Sequence, residues 1–232
     1  MDYQANARFF DRKFRKSNAR MRAIGAASSG VGGVCVAISM FMRWGGYAFY
    51  VIGWPLLIFG VVVLLVAANK RVRESDVTSQ ADIIIDELKE LCKEKLDYPE
   101  DFDSRALVFA GSVLNDENIS AAKKLKSGNY LGSDLVITIF YEKKGSLFIM
   151  QRTISFVKEG HTDIEKNLSF NDFDSVGVET DTLKNGAKIN SVRFYKDGTV
   201  FLEAPLVDND YYKEEYFVTL MHDKERFSRT GR

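Results

Sequence analysis

The side chains in this chain able to do more than pack are two histidines, two cysteines and a scatter of carboxylates and lysines, and their spacing limits what they can do. His161, read as lying in a turn, and His222, on a helix near the end, have no Cys, His or acidic partner at metal-ligand spacing. Asp172, Asp174, Glu179 and Asp181 could converge on a cation, and Asp208, Asp210, Glu214 and Glu215 form a second acidic run. Neither has calcium-loop spacing, and charged turns or a helix entrance account for both. Lys123, Lys124 and Lys126 could touch headgroups or an acidic partner, or end a solvated helix. Cys35 and Cys92 give no disulfide framework and read as small buried apolar residues. No glycine-rich phosphate loop, HExxH pair or nucleophile elbow occurs. The expectation is a protein that is not an enzyme, with no catalytic residues, no cofactor and no metal.

What must position these groups is set by charge patterning. The 232 residues carry 32 Lys plus Arg against 32 Asp plus Glu, but the charges are segregated. Residues 1–22 hold seven basic and two acidic side chains, and residues 74–232 hold 21 basic against 30 acidic. Between them, Ala23 to Met42 and Trp44 to Asn69 are free of charge, separated by Arg43. One straight helix through both would span about 69 Å at 1.5 Å per residue, over twice the ~30 Å of a bilayer core, with Arg43 near its middle. A reversal at Arg43–Gly46 instead gives two spans of bilayer length, with Trp44, Tyr47, Tyr50 and Trp54 near the far interface. The basic flanks then place both termini and the soluble domain in the cytoplasm, making a multi-pass protein of a bacterial plasma membrane. A cleaved signal peptide fits poorly, because a second equally apolar segment follows at once.

In the first span Gly25, Ser29, Gly33 and Ala37 recur every four residues and make a helix-packing stripe, for the partner span or for another subunit. The second span reads as bulky on nearly every side, with Pro55 expected to loosen its outer end. Arg12, Lys13, Arg15, Lys16, Lys70, Arg71 and Arg73 are the candidate juxtamembrane lipid contacts, with Phe9, Phe10 and Phe14 in the acyl boundary if residues 7–22 lie as an interfacial helix. The same charges could instead merely set topology.

After the basic stop, a linker helix is predicted with Thr78 or Ser79 as its cap, Ile84, Leu88, Leu91 and Lys95 on one line, and a stop at Pro99. Strand-like runs follow from 105–114, 134–143, 145–158, 166–180, 188–197 and 199–205, with a helix expected at about Glu117–Leu125. Asp197-Gly198 is the strongest hairpin signal. An apolar face made by Tyr212, Tyr216, Phe217, Leu220 and Met221 predicts a covering C-terminal helix.

The paired strands Leu135–Tyr141 and Leu147–Val157, the segment 168–176, the hairpin at Asp197–Gly198 and the final helix together resemble a bacterial pleckstrin-homology-like domain. The resemblance implies a small curved barrel used for binding or assembly beside membrane spans. Lys143 and Lys144 are only a pair, where a phosphoinositide-type cluster would need more. The expected fold class is α+β: a transmembrane helical hairpin (23–69) behind a basic segment (1–22), then a linker helix (70–100) and a small antiparallel β domain (101–232) capped by a C-terminal helix. The expected function is a noncatalytic, membrane-anchored accessory or scaffold protein presenting a cytoplasmic protein-binding domain. Its expected partners are the lipid bilayer and other membrane-protein subunits or a second copy, not nucleic acid. A regulatory domain sensing a soluble ligand through the linker helix is the second reading, favoured by an apolar concavity. A membrane-bound enzyme without a recognisable motif is the third.

Overall fold

In a computed structural model of the chain, the described residues are all except 43–45, 71, 113, 119–121, 126–129, 144–145, 207–214, 218 and 223–232. Residues 11–73 form one unit; residues 1–10 join 74–232 in the other. The two acids of the basic N-terminal segment both cap helices. Asp2 Oδ1 accepts from the Ala5 N–H at 2.9 Å, starting α1 (Tyr3–Phe10). Asp11 accepts from Lys13 and Phe14 N–H at 2.7 and 3.2 Å, starting α2 (Arg12–Phe41).

In the first-named unit α2 packs antiparallel on α3 (Gly46–Asn69), which runs through Pro55. The reversal predicted at Arg43–Gly46 falls largely on residues 43–45, outside the described residues. The seam uses small residues seven apart: Gly25 and Gly32 on α2, and Gly46, Gly53, Gly60 and Ala67 on α3, all buried. A Cβ on Gly32 would lie 2.7 Å from Gly53 O, one on Gly53 3.0 Å from Gly32 O, and one on Gly46 2.6 Å from Ser39 O. Backbone therefore rests on backbone along both helices, which only glycine allows. The second span is thus not bulky all round; one narrow glycine edge faces α2, with Leu57 and Leu64 beside it.

In the other unit α4 (Glu74–Lys95) begins four residues before the predicted caps. Thr78 Oγ1 donates instead to Glu74 O, and Ser79 Oγ to Asp76 O, from inside the helix. It ends where Asp97 and Tyr98 take left-handed φ values, just before Pro99. A short helix α5 (Phe102–Arg105) leads into the strands. These are β1 (Leu107–Gly111), β2 (Lys123–Lys124), β3 (Tyr130–Leu131), β4 (Asp134–Lys143), β5 (Ser146–Ser155), β6 (His161–Ser169), β7 (Ser175–Thr182), β8 (Lys188–Lys196) and β9 (Thr199–Leu206). They make a four-stranded antiparallel sheet ordered β1-β4-β5-β6, a three-stranded sheet ordered β7-β8-β9, and a small β2-β3 ribbon. Helical backbone returns at 215–217 and 219–222.

Three local expectations change. Lys123 and Lys124 are extended and pair with Leu131 and Tyr130, rather than ending a helix. The stretch 166–180 is not one strand but the end of β6 and most of β7, in different sheets, with Phe170 and Phe173 buried at the break. His161 opens β6 instead of lying in a turn. The Asp197-Gly198 hairpin is as predicted, both residues at positive φ between the pairs Tyr195–Val200 and Lys196–Thr199.

The core lies between the two larger sheets under the C-terminal helix. Phe109, Phe140, Phe194 and Phe217 meet ring to ring at 5.4–6.1 Å, with Leu147, Ile149 and Leu220 around them. Gln151 ties the sheets together by donating to Thr138 Oγ1 at 3.0 Å and to Glu203 O at 2.9 Å. β4 and β5 are buried on both faces because α4 covers the other side through Ile84, Leu88 and Cys92. The Cys92 thiol donates to Met150 Sδ at 3.3 Å, and burial pushes it up to about 12, so it stays protonated and inert.

The seam gives a sharp contrast. Gly60→Leu must push α2 off through Ser29 and is expected to cost about 2 kcal/mol or more in thermal unfolding. Gly30→Leu, where an added Cβ meets nothing within 4 Å, is expected to stay within about 0.5 kcal/mol. Equal effects at the two glycines would refute the seam.

Candidate functional site

The feature sequence reading missed is where α1 goes. Asn6 is 0% exposed, Phe9 3% and Phe10 6%, and the residues they meet, Gln80, Lys123 and Phe156, belong to the unit of residues 74–232. Phe10 stacks on Phe156 at 6.0 Å, and Lys123 Nζ stands 3.6 Å over the Phe9 ring. Asn6 Nδ2 donates to Gln80 Oε1 on α4 at 2.8 Å; the return contact, Gln80 Nε2 to Asn6 Oδ1, is long at 3.5 Å. Gln80 is held for this by donating to Asp76 O at 2.9 Å. The expectation of Phe9 and Phe10 in an acyl boundary is therefore corrected: these rings are spent inside the domain. The clasp joins the segment before the apolar helices to the segment after them, 74 residues apart in sequence.

The predicted helix-packing residues divide. Gly25 and Ser29 face Gly60 across the seam, while Gly33 would only reach Leu57 Cδ1 at 3.8 Å and Ala37 is exposed. The seven-residue recurrence of glycine in both spans carried the seam and was readable; the four-residue count drifted off it. Of the lipid-contact residues, Arg12, Lys13, Arg15 and Lys16 begin α2, and Lys70 and Arg73 follow α3. Because the helices are antiparallel, these groups share one end of the helical pair. Arg71 lies outside the described residues.

Of the carboxylates considered as metal ligands, Asp172, Asp174, Glu179 and Asp181 have structural work. Asp172 accepts from Ser169 N–H at 2.7 Å and Asp174 from Asp197 N–H at 2.6 Å, pinning two turns. Glu179, Asp181 and Glu203 surround the Arg193 guanidinium on the outer face of the three-stranded sheet, and Tyr195 donates to Glu179. The tyrosine and arginine hold Glu179 below the usual carboxylate range. Among the described residues, no three His, Cys, Asp or Glu side chains gather as metal ligands. Asp208, Asp210, Glu214 and Lys126 lie outside the described residues.

A cleft of about 470 Å³ opens beside the clasp. Tyr3 and Gln80 lie along it, Ile83, Ile84 and Ile154 give it apolar walls, and Glu87, Glu159 and His161 stand around it. At its base Arg152, with its side chain 12% exposed, is bound bidentately by Asp163 at 2.7 and 2.6 Å. That bond holds the Asp163 carboxyl below its ordinary range. Compared with known proteins, the chain matches no family model, no curated protein and no solved structure.

Two outcomes follow from this geometry. In a double-mutant cycle of Asn6→Ala and Gln80→Ala, read by thermal unfolding, the coupling is expected to be about 1 kcal/mol; zero coupling would mean the clasp is not made. Because Asp163 is depressed in the folded state, its stabilisation is present above the ordinary aspartate range and is lost as pH falls through the depressed value. Asp163→Asn should lower stability at neutral pH and flatten the acid limb of a stability–pH curve, and an unchanged limb would contradict the pairing.

Proposed function

We propose that the chain is a noncatalytic membrane-anchored scaffold: α2 and α3 cross the bilayer as a hairpin and hold a protein-binding domain at the cytoplasmic face. The observation that carries this reading is the clasp. A segment before the two apolar helices rests on the unit after them through Phe10 on Phe156, Phe9 under Lys123 and Asn6 on Gln80, so the two occupy one compartment, and a chain that leaves and returns must cross an even number of times. The helices themselves support the crossing. Fewer than a fifth of the residues in the most apolar window of each are buried, unlike the core helix of a soluble protein. Val31, Val34, Ile52, Ile58, Phe59 and Leu65 are more than half exposed, a surface suited to lipid. Basic residues gathered at one end of the pair favour that end as cytoplasmic.

The four-plus-three strand arrangement with a C-terminal helix supports the pleckstrin-homology-like resemblance, and with it a binding rather than a catalytic role. The cleft beside the clasp favours a second reading, a membrane-tethered sensor of a soluble ligand, because both connections to the helical pair form its walls.

Single cysteines at Tyr3, Arg43 and Lys184, in a chain lacking Cys35 and Cys92, test the crossing. Position 43 should react with an impermeant maleimide on intact cells, and positions 3 and 184 only after the membrane is opened. Positions 3 and 184 reacting from opposite sides would end this reading. For the scaffold role, lysine cross-linking in intact membranes should join the domain to another membrane protein or to a second copy; a domain that forms no adduct argues against assembly.

A further inference from the structure

The basic stretch at the start of α2 has so far served only to orient the helical pair. Between Arg12 and Arg73 the chain contains no Asp or Glu, so the cations of this unit have no carboxylate of their own. No ion pair among the described residues involves Arg12, Lys13, Arg15, Lys16, Arg20 or Arg22. In the β domain, by contrast, Arg105, Arg152 and Arg193 are each met by an acid. The stretch is also helical throughout. α2 runs unbroken from Arg12 to Phe41, about 45 Å at 1.5 Å per residue, which carries its cations straight out of a hydrocarbon layer of ~30 Å. Asn18, seven residues before Gly25 and 8% exposed, extends the buried line of α2 and keeps these turns packed.

The register sets the depth of each cation. A Cβ on Gly25 would meet Gly60 O and Leu64, so three residues earlier Arg22 stands level with the turn from Val63 to Ala67 on α3. Leu65 and Val66 in that turn are 59% and 42% exposed, an apolar surface that needs hydrocarbon beside it. Arg20 and Arg22 are exposed at this same level, roughly 200° apart around the helix. Arg12 and Lys13 fall beyond the end of α3 at Asn69, about 14 Å further out.

We propose that Arg20 and Arg22 bind the phosphate groups of anionic phospholipids, so that the helical pair gathers acidic lipid around its cytoplasmic end. Their stems lie along the acyl chains and their guanidinium groups reach up to the phosphate layer on both flanks of α2. The guanidinium fork suits a phosphate, and a zwitterionic headgroup brings its own ammonium and leaves the two charges unneutralised. The inference rests on the membrane crossing and gives the bilayer partner a chemical class. It also moves the lipid contact up the helix from the stretch 12–16 that the sequence suggested.

Spin-labelled phosphatidylglycerol and spin-labelled phosphatidylcholine, each at trace level in phosphatidylcholine vesicles holding the full chain, are compared by electron spin resonance. Lipid touching the helices gives a motionally restricted component, and the ratio of the two restricted populations reads the preference. It should favour phosphatidylglycerol about threefold in ~0.1 M salt and fall toward parity in ~1 M salt, where the screening length shrinks from about 10 to about 3 Å. Arg20→Gln with Arg22→Gln should bring the preference below about 1.5, while Arg12→Gln with Lys13→Gln leaves it within about a fifth of its original value. The restricted phosphatidylcholine component reports that each variant still spans the bilayer. Equal restriction of the two lipids by the unaltered chain, a preference insensitive to salt, or one that the first pair of substitutions reduces no more than the second would overturn the proposal while the crossing stands. No restricted component for either lipid would remove the crossing and the proposal together.

Discussion

An amide pair, a buried Asn6 on a half-buried Gln80, decides how this chain is arranged. Asn6 is wholly removed from solvent, and the partner on which its side chain spends a 2.8 Å hydrogen bond is Gln80, beyond the whole apolar stretch. A hydrogen bond of this kind contributes only about 1 kcal/mol net, but an amide left buried without a partner costs about 1–3 kcal/mol. The amides therefore select the docking register, while Phe9 and Phe10 supply the drive, at roughly 1.5–3 kcal/mol for each ring buried. Everything between residues 10 and 74 has to leave and return within that constraint, and the antiparallel glycine seam of α2 and α3 is the structure that meets it.

The same division of labour runs through the domain. Apolar burial sets the layers, with α4 on one face of β4 and β5 and the phenylalanine cluster on the other. Polar groups fix position: Gln151 bridges the sheets, Arg152 and Asp163 join β5 to β6, and Arg193 gathers carboxylates from β7 and β9. Among the described residues, Asp172, Asp174, Glu179 and Asp181, which looked available for chemistry, are partners of a cation or of turn amides.

How much of this was legible follows from how local each signal is. Two charge-free runs and the Asp197-Gly198 hairpin are local patterns and read directly, as do Ile84 and Leu88 on the linker helix, whose buried line then continues through Cys92 rather than through the expected Leu91 and Lys95. β6 was missed over its first half because His161 to Glu165 is solvent-facing along an edge, which leaves no alternation to detect. The run 166–180 looked continuous because Phe170 and Phe173 keep it apolar through the point where the chain changes sheets. Phenylalanines among arginines fit a lipid interface and a protein groove equally well. What separates the two is a glutamine 74 residues away, and no local reading contains it.

The most direct measurement is a cross-link across the clasp in native membranes. Asn6→Cys and Gln80→Cys are placed in a chain without Cys35 and Cys92, with a protease site at residues 43–45, and bridged by a short bis-methanethiosulfonate reagent. After cleavage and denaturation, the account predicts that the two fragments of one chain migrate as a single band and separate on reduction. Fragments that migrate apart despite labelling of both cysteines would contradict it, because the first ten residues would then not rest on the domain.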